Sequence, residues 1–156
     1  MKKRYLALAI LSAAFLFLSA NLASATGYYI HLVNETNMEV SFAIACPTFV
    51  SSRVVYEYRV KGWYPVQPKS TREEYIEGRS DIEFFRWIAE AKGAAWYGRD
   101  SDMLFEVIPE KFVYETDIIE KENRAESGPK NKQGIKQVPF RTTPIYRGHC
   151  TIKVTM

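Results

Sequence analysis

Residues 81–93 read Asp81-Ile82-Glu83-Phe84-Phe85-Arg86-Trp87-Ile88-Ala89-Glu90-Ala91-Lys92-Gly93, or DIEFFRWIAEAKG. Whether they form a helix or a strand decides the fold class. Ser80 and Glu83 have the spacing of a helix capping box, and Gly93 would serve as a helix stop. Against that, Phe84, Phe85, Trp87 and Ile88 are bulky residues that suit a pleated surface. Lys92-Gly93 is also a turn signal leading into a second short aromatic segment, Ala94-Ala95-Trp96-Tyr97-Gly98. The side chains favour a hairpin, with one short helix at 81–92 as the competing reading.

The sequence on either side settles the class. Tyr28–Val33 alternates, with Ile30 and Leu32 opposed to Tyr29, His31 and Val33, and ends at the turn-forming Asn34-Glu35-Thr36-Asn37. Met38–Ala45 alternates again, and these two segments read as a hairpin. Arg53–Val60 is a third strand, with Tyr56, Tyr58 and Val60 on one face. It runs into Val60-Lys61-Gly62-Trp63-Tyr64-Pro65-Val66-Gln67-Pro68. Continued alternation makes Tyr64 a core residue and turns Trp63 the other way, unless Gly62 marks a bulge. Further short strands are expected at Lys69–Tyr75, Met103–Ile108, Phe112–Tyr114, Gln137–Tyr146 and His149–Thr155. The charged stretch 117–136 contains Ser127-Gly128-Pro129 and reads as a long polar loop. Many short strands bounded by Gly, Pro and Asn predict a single all-β domain, an antiparallel β-sandwich or partly open barrel.

The N-terminus has a basic start at Lys2, Lys3 and Arg4, an apolar run from Leu6 to Leu18, and a small-x-small site at Ala23-Ser24-Ala25. This is the layout of a secretory signal peptide over residues 1–25. The run is shorter than the ~20 residues of a spanning helix, so no stable membrane span is expected after cleavage. The organisation is then a signal at 1–25 and one β-rich domain at 26–156, periplasmic or secreted. The chain holds 21 Lys and Arg against 18 Asp and Glu, a formal charge of +3. The three basic residues of the signal account for that excess, and a near-neutral mature chain argues against nucleic acid as a partner.

Only two cysteines occur, Cys46 and Cys150. Export permits a disulfide between them, which in the chain-entropy model would contribute about 4.7 kcal/mol for a loop of roughly 100 residues. The other reading is two buried thiols.

Catalytic signatures are sparse. His31 and His149 are the two histidines, and neither sits in a metal-ligand spacing, so no metal or other cofactor is expected. His149 and Cys150 are adjacent on a strand and point to opposite faces, which opposes a Cys-His pair. No Gly-x-Ser-x-Gly elbow or phosphate loop is present. Glu73, Glu74, Glu83, Glu90, Asp100 and Asp102 supply carboxylates, and a pair of them facing across a cleft would make a hydrolase. Solvated strand faces account for most of them. Asn34-Glu35-Thr36 fits a glycosylation sequon, but a turn explains it better.

Aromatic residues make up 14 % of the chain. Trp63, Tyr64, Trp96 and Tyr97 are candidates to line a groove for sugar or peptide, although rings also fill small cores. Glu90, within Ala89-Glu90-Ala91, is the candidate polar group among them, with Arg86 or Lys61 as its expected partner.

The ordered phrases Asn34-x-Thr36, Val40-x-Phe42-Ala43-Ile44, Lys61-Gly62-Trp63-Tyr64-Pro65-Val66-x-Pro68, Ala89-Glu90-Ala91 and Trp96-Tyr97-Gly98, followed by Phe105 and Phe112, have a family likeness. The chain resembles the bacterial domain-of-unknown-function family 1036 (DUF1036) over roughly Tyr29–Tyr114. The resemblance implies a small exported or envelope-associated protein without an established activity. Cysteines frequent in that family are missing here, where Val33 and Ser70 stand, so no disulfide or metal pattern carries over from it.

The function expected from the sequence is that of a non-catalytic envelope or secreted β-domain that binds a small ligand, a glycan or an envelope protein. Two alternatives are a hydrolase-type enzyme using a carboxylate pair and a membrane-active protein that inserts exposed aromatics.

Overall fold

A computed structural model describes residues 27–51, 54–77, 82–99, 101–119, 124–126, 128 and 133–156. The expected signal segment, 1–25, lies outside the described residues. In chain order the strands are β1 (Gly27–Asn34), β2 (Val40–Ser51), β3 (Val54–Val66), β4 (Ser70–Glu77), β5 (Phe84–Ala91), β6 (Ala94–Trp96), β7 (Leu104–Val107), β8 (Phe112–Ile119), β9 (Arg124–Ala125), β10 (Lys136–Pro139), β11 (Arg141–Pro144) and β12 (His149–Val154).

The domain is all-β, as the sequence predicts. A three-stranded sheet has the order β12-β1-β4. A nine-stranded sheet follows the path β10-β7-β9-β8-β3-β2-β5-β11, with β6 also paired to β5. Neither sheet closes into a barrel. Phe42, Ile44 and Cys46 of β2 share one apolar core with Ile30 and Leu32 of β1 and Ile152 of β12, which packs the small sheet on the large one as a sandwich. Ala43 and Ala45, the alternate residues of β2, face a second core with Tyr58, Phe105 and Phe140. The large sheet therefore curls over its second face. Phe105 packs on Tyr58 and Phe140 with ring centroids 5.1 and 4.8 Å away. Phe140 alone separates β10 from β11, the two ends of the sheet path. Its N–H donates to the Met103 carbonyl at 3.0 Å, and the neighbouring Pro139 carbonyl accepts from the Gly98 N–H at 2.7 Å.

Phe84–Ala91 of the deciding stretch is a strand, and Asp81 lies outside the described residues. β5 pairs with β2, β11 and β6, and turns into β6 at Gly93, whose φ is +80°. This corrects the helix allowed at 81–92. The helix signal at Gly93 is the turn from β5 into β6, and β5 itself is buried on both faces. Phe85, Trp87 and Ala89 enter one core and Ile88 the other, and a strand buried on both sides loses its alternation of polar and apolar residues.

Three other expectations change. β1 and β2 do not form a hairpin. They lie in different sheets, and β1 pairs in parallel with β12, Tyr29 opposite His149 and His31 opposite Thr151. The reason is at the corner, where Asn34 is fully buried. Its Nδ2 donates to the carbonyls of Met38, Val66 and Gln67 at 2.7, 2.9 and 3.0 Å. Its Oδ1 accepts from the N–H and the hydroxyl of Thr36 at 2.9 and 2.8 Å. Asn34-x-Thr36 is thus a buried polar joint that turns the chain from one sheet to the other. Next, the stretch 117–136 is not one loop, since it contains the end of β8, all of β9 and the start of β10. Residues 120–123, 127 and 129–132 of it lie outside the described residues. Finally, Cys46 and Cys150 are buried free thiols, not a disulfide. They stand on opposite sheets, and facing sheets are usually about 10 Å apart, beyond the roughly 4.4–6.8 Å between Cα atoms that a disulfide needs unless two strands approach locally.

Candidate ligand cleft

The site begins with an irregularity in the pairing of β2 and β3. Phe42 lies opposite Tyr64 and Ala43 opposite Gly62, so Trp63 is an extra residue in a bulge. The Gly62–Trp63 peptide is cis. Up to Gly62 the even-numbered residues of β3, such as Tyr58 and Val60, face the second core. Past the bulge Tyr64 and Val66 face the first. Glycine is required beside the bulge because a Cβ at position 62 would stand 2.7 Å from Phe112 Cζ and 3.0 Å from Ala43 Cβ. Trp63 packs at the margin of the second core, edge to face with Phe112 at 6.0 Å and 90°. Its indole N–H donates to the Ile108 carbonyl at 2.8 Å.

Trp63 lines an open cleft of about 790 Å³. Met38, Glu39 and Ser41 come from β2 and the turn before it, Pro65 from β3, and Glu90, Ala91 and Lys92 from the end of β5 and its turn. Pro109 and Lys111 close it from the β7–β8 connection. Ser41 is opposite Glu90 in the pairing of β2 with β5, so Trp63, Ser41 and Glu90 span three adjacent strands. The Tyr97 hydroxyl donates to Glu90 Oε1, and Lys136 Nζ is 3.9 Å from the same oxygen. Burial, helped by the hydrogen bond to Glu90 and by its charge, pushes the Tyr97 phenol up to about 12. It therefore remains a donor at neutral pH. Glu39 accepts a hydrogen bond from Gln67.

Of the five residues expected at a site, three come together. Trp63 and Glu90 line the cleft, and Tyr97 stands behind Glu90. Tyr64 does not join them. It is buried in the core between the sheets with the Arg72 guanidinium 5.3 Å from its ring centroid, and burial raises its phenol to about 12. Trp96 is also directed elsewhere, packing against that same core with its indole N–H on the Thr155 carbonyl at 3.2 Å. Alternation separates Trp96 from Tyr97, and the shift of faces at the bulge separates Trp63 from Tyr64.

The expected partners of Glu90 are replaced by Tyr97 and Lys136. Arg86 is four residues back along β5, a distance of about 13 Å, where it donates to the Tyr58 hydroxyl at 3.0 Å and to Thr142 Oγ1 at 3.1 Å. Lys61 lines a separate pocket of about 220 Å³ with Cys46, Arg59 and Glu77. Sequence reasoning missed Lys92, Lys111 and Lys136. Position 92 was legible as a turn and nothing more, while the other two reach the site only through the pairing of β7, β8 and β10.

Other candidate groups are engaged structurally. Glu74 pairs with Arg72 at 2.5 Å, and Asp102 accepts the Arg99 N–H at 2.7 Å. Burial pushes the Cys46 thiol up to about 12 and the Cys150 thiol to about 11, which leaves both protonated and poorly nucleophilic at neutral pH. Among the described residues no helix is long and apolar enough to cross a membrane. Comparisons with protein-family models, with curated proteins and with solved structures found no match.

Proposed function

We propose that this chain is an exported, non-catalytic β-domain of the envelope or the secreted fraction, and that its cleft binds a small glycan-like ligand. The observation that carries the reading is the meeting of Trp63 and Glu90 in one open cleft. An aromatic ring offers an apolar face to a sugar ring, and a carboxylate accepts from its hydroxyls. The cleft volume falls in the usual range for small-ligand sites, about 300–1,000 Å³. Glu90 Oε1 takes the Tyr97 hydroxyl, which positions the carboxylate and leaves Oε2 for a ligand hydroxyl beside Trp63, and this pairing of ring and acceptor is why binding is preferred to hydrolysis.

Export is supported by the basic, apolar and small-x-small order of residues 1–25. Membership of the DUF1036 group is part of the proposal. It rests on the shared phrases of the sequence, Asn34-x-Thr36 and Lys61-Gly62-Trp63-Tyr64-Pro65-Val66-x-Pro68 among them. Binding is tested by titrating neutral and acidic oligosaccharides into the protein and into its Trp63→Ala and Glu90→Gln variants. At least one class should bind the parent and lose most of its affinity in both variants. Equal binding by all three proteins would remove the cleft from consideration.

A further inference from the structure

The two histidines of the sequence, 118 positions apart, meet on the outer face of the small sheet. β1 and β12 run parallel with Tyr29 opposite His149 and His31 opposite Thr151, so the two imidazoles are diagonal neighbours. Their ring centroids are 5.8 Å apart and their planes differ by 13°. The Tyr29 ring flanks His149 at 5.6 Å. Glu73, opposite His31 on β4, brings Oε2 to 3.4 Å from His31 Nδ1.

We propose that His31 and His149 together bind a divalent transition-metal ion of the class that prefers imidazole, such as Zn²⁺ or Ni²⁺. Two imidazoles sharing one such ion, each with its nitrogen about 2.0–2.1 Å from the metal, have centroids about 5–6 Å apart, so the spacing fits, and the near-parallel rings turn to bring one nitrogen of each onto the ion. Ligating histidines commonly give their other ring N–H to a carboxylate, which fixes the tautomer and the ring orientation. Glu73, 3.4 Å from Nδ1, is the carboxylate that would do this for His31, with Nε2 as the ligand. Among the described residues no group of three or more His, Cys, Asp and Glu side chains is placed to hold a metal. The proposed ion accordingly takes two protein nitrogens and no third protein ligand, with water completing its shell. The site lies on a different sheet from the Trp63 cleft and is independent of it.

The test is a Zn²⁺ titration of the untagged protein, followed by calorimetry and by the imidazole signals of its ¹H–¹⁵N spectrum. The chain has two histidines, so two ring systems are observed. The proposal expects one ion per chain, with both rings shifting together. His31→Gln and His149→Gln should each weaken binding at least tenfold, and Glu73→Gln by up to about tenfold. Movement of one ring alone, or of neither, would overturn the site, as would unchanged affinity in both histidine variants. The parent spectrum decides the matter without any substitution.

Discussion

Trp63 and Ile108 are joined across 45 residues by a hydrogen bond of 2.8 Å from the indole N–H to the backbone carbonyl. This bond fixes the ring at the mouth of the second core instead of inside it. The indole nitrogen is satisfied by the protein, which leaves the apolar part of the half-buried ring as its contribution to the cleft. The same bond couples the β3 bulge to the β7–β8 connection that brings in Pro109 and Lys111.

The Asn34 joint makes a strong stability prediction. Asn34→Ala removes the donor from the buried Val66 carbonyl and the acceptor from the buried Thr36 N–H, while the Met38 and Gln67 carbonyls keep the Thr36 and Ser70 hydroxyls, and each buried group left unsatisfied costs about 1–3 kcal/mol before local relaxation. Denaturant unfolding should show a loss of about 2–4 kcal/mol, large for one substitution. A loss below about 1 kcal/mol would mean that the joint does not hold the two sheets in register.

Gly62→Ala tests the close approach beneath the bulge. The added methyl would meet Phe112 and Ala43 well inside normal contact distance, and overpacking of this kind costs about 1–3 kcal/mol. The distinctive expectation is a changed emission maximum for Trp63, because Phe112 packs on both residue 62 and the indole. A variant of unchanged stability and emission would show that the wall yields freely.

The thiols give a pH prediction with a definite sign. Burial raises both, Cys46 from 9.0 to about 12 and Cys150 from 9.0 to about 11. The unfolded chain therefore releases these protons at lower pH than the folded one. Their contribution to stability is complete below about pH 9 and is lost as pH rises toward 11 and 12. Cys46→Ala/Cys150→Ala should flatten the alkaline fall in stability between pH 9 and 11. Thiol titration without reductant should find two reactive groups in denatured protein and almost none in native protein, whereas two unreactive groups after denaturation would indicate a disulfide.

Much of the fold was legible in the sequence. Alternation in β1, β2 and β12 located three strands and their buried faces, and the bulky residues of 84–88 outweighed the capping signal at Ser80 and Glu83. Pairing was less accessible. The polar corner at Asn34 looks like a hairpin turn in sequence, because nothing local reveals that its side chain bonds to Val66 and Gln67. The parallel contact of β1 with β12 joins the first and last described strands, and no sequence period reports it. At the cleft, Gly62 suggested a bulge, and the bulge is what reverses the facing of Tyr64. Trp63 and Glu90 were recognisable as aromatic and charged residues in strand contexts. Lys111 and Lys136 are ordinary surface lysines until the sheet curls.

The most direct measurement of the central claim uses a protein in which Trp87 and Trp96 are replaced by phenylalanine, so that Trp63 alone reports. Acrylamide quenching is followed while neutral and acidic oligosaccharides are added. Trp63 is predicted to be moderately quenched in the free protein and protected saturably by at least one oligosaccharide class, with the protection lost in Glu90→Gln. A fully shielded Trp63 in the free protein, or an accessible one that no oligosaccharide protects, would contradict the assignment of the cleft as a glycan site.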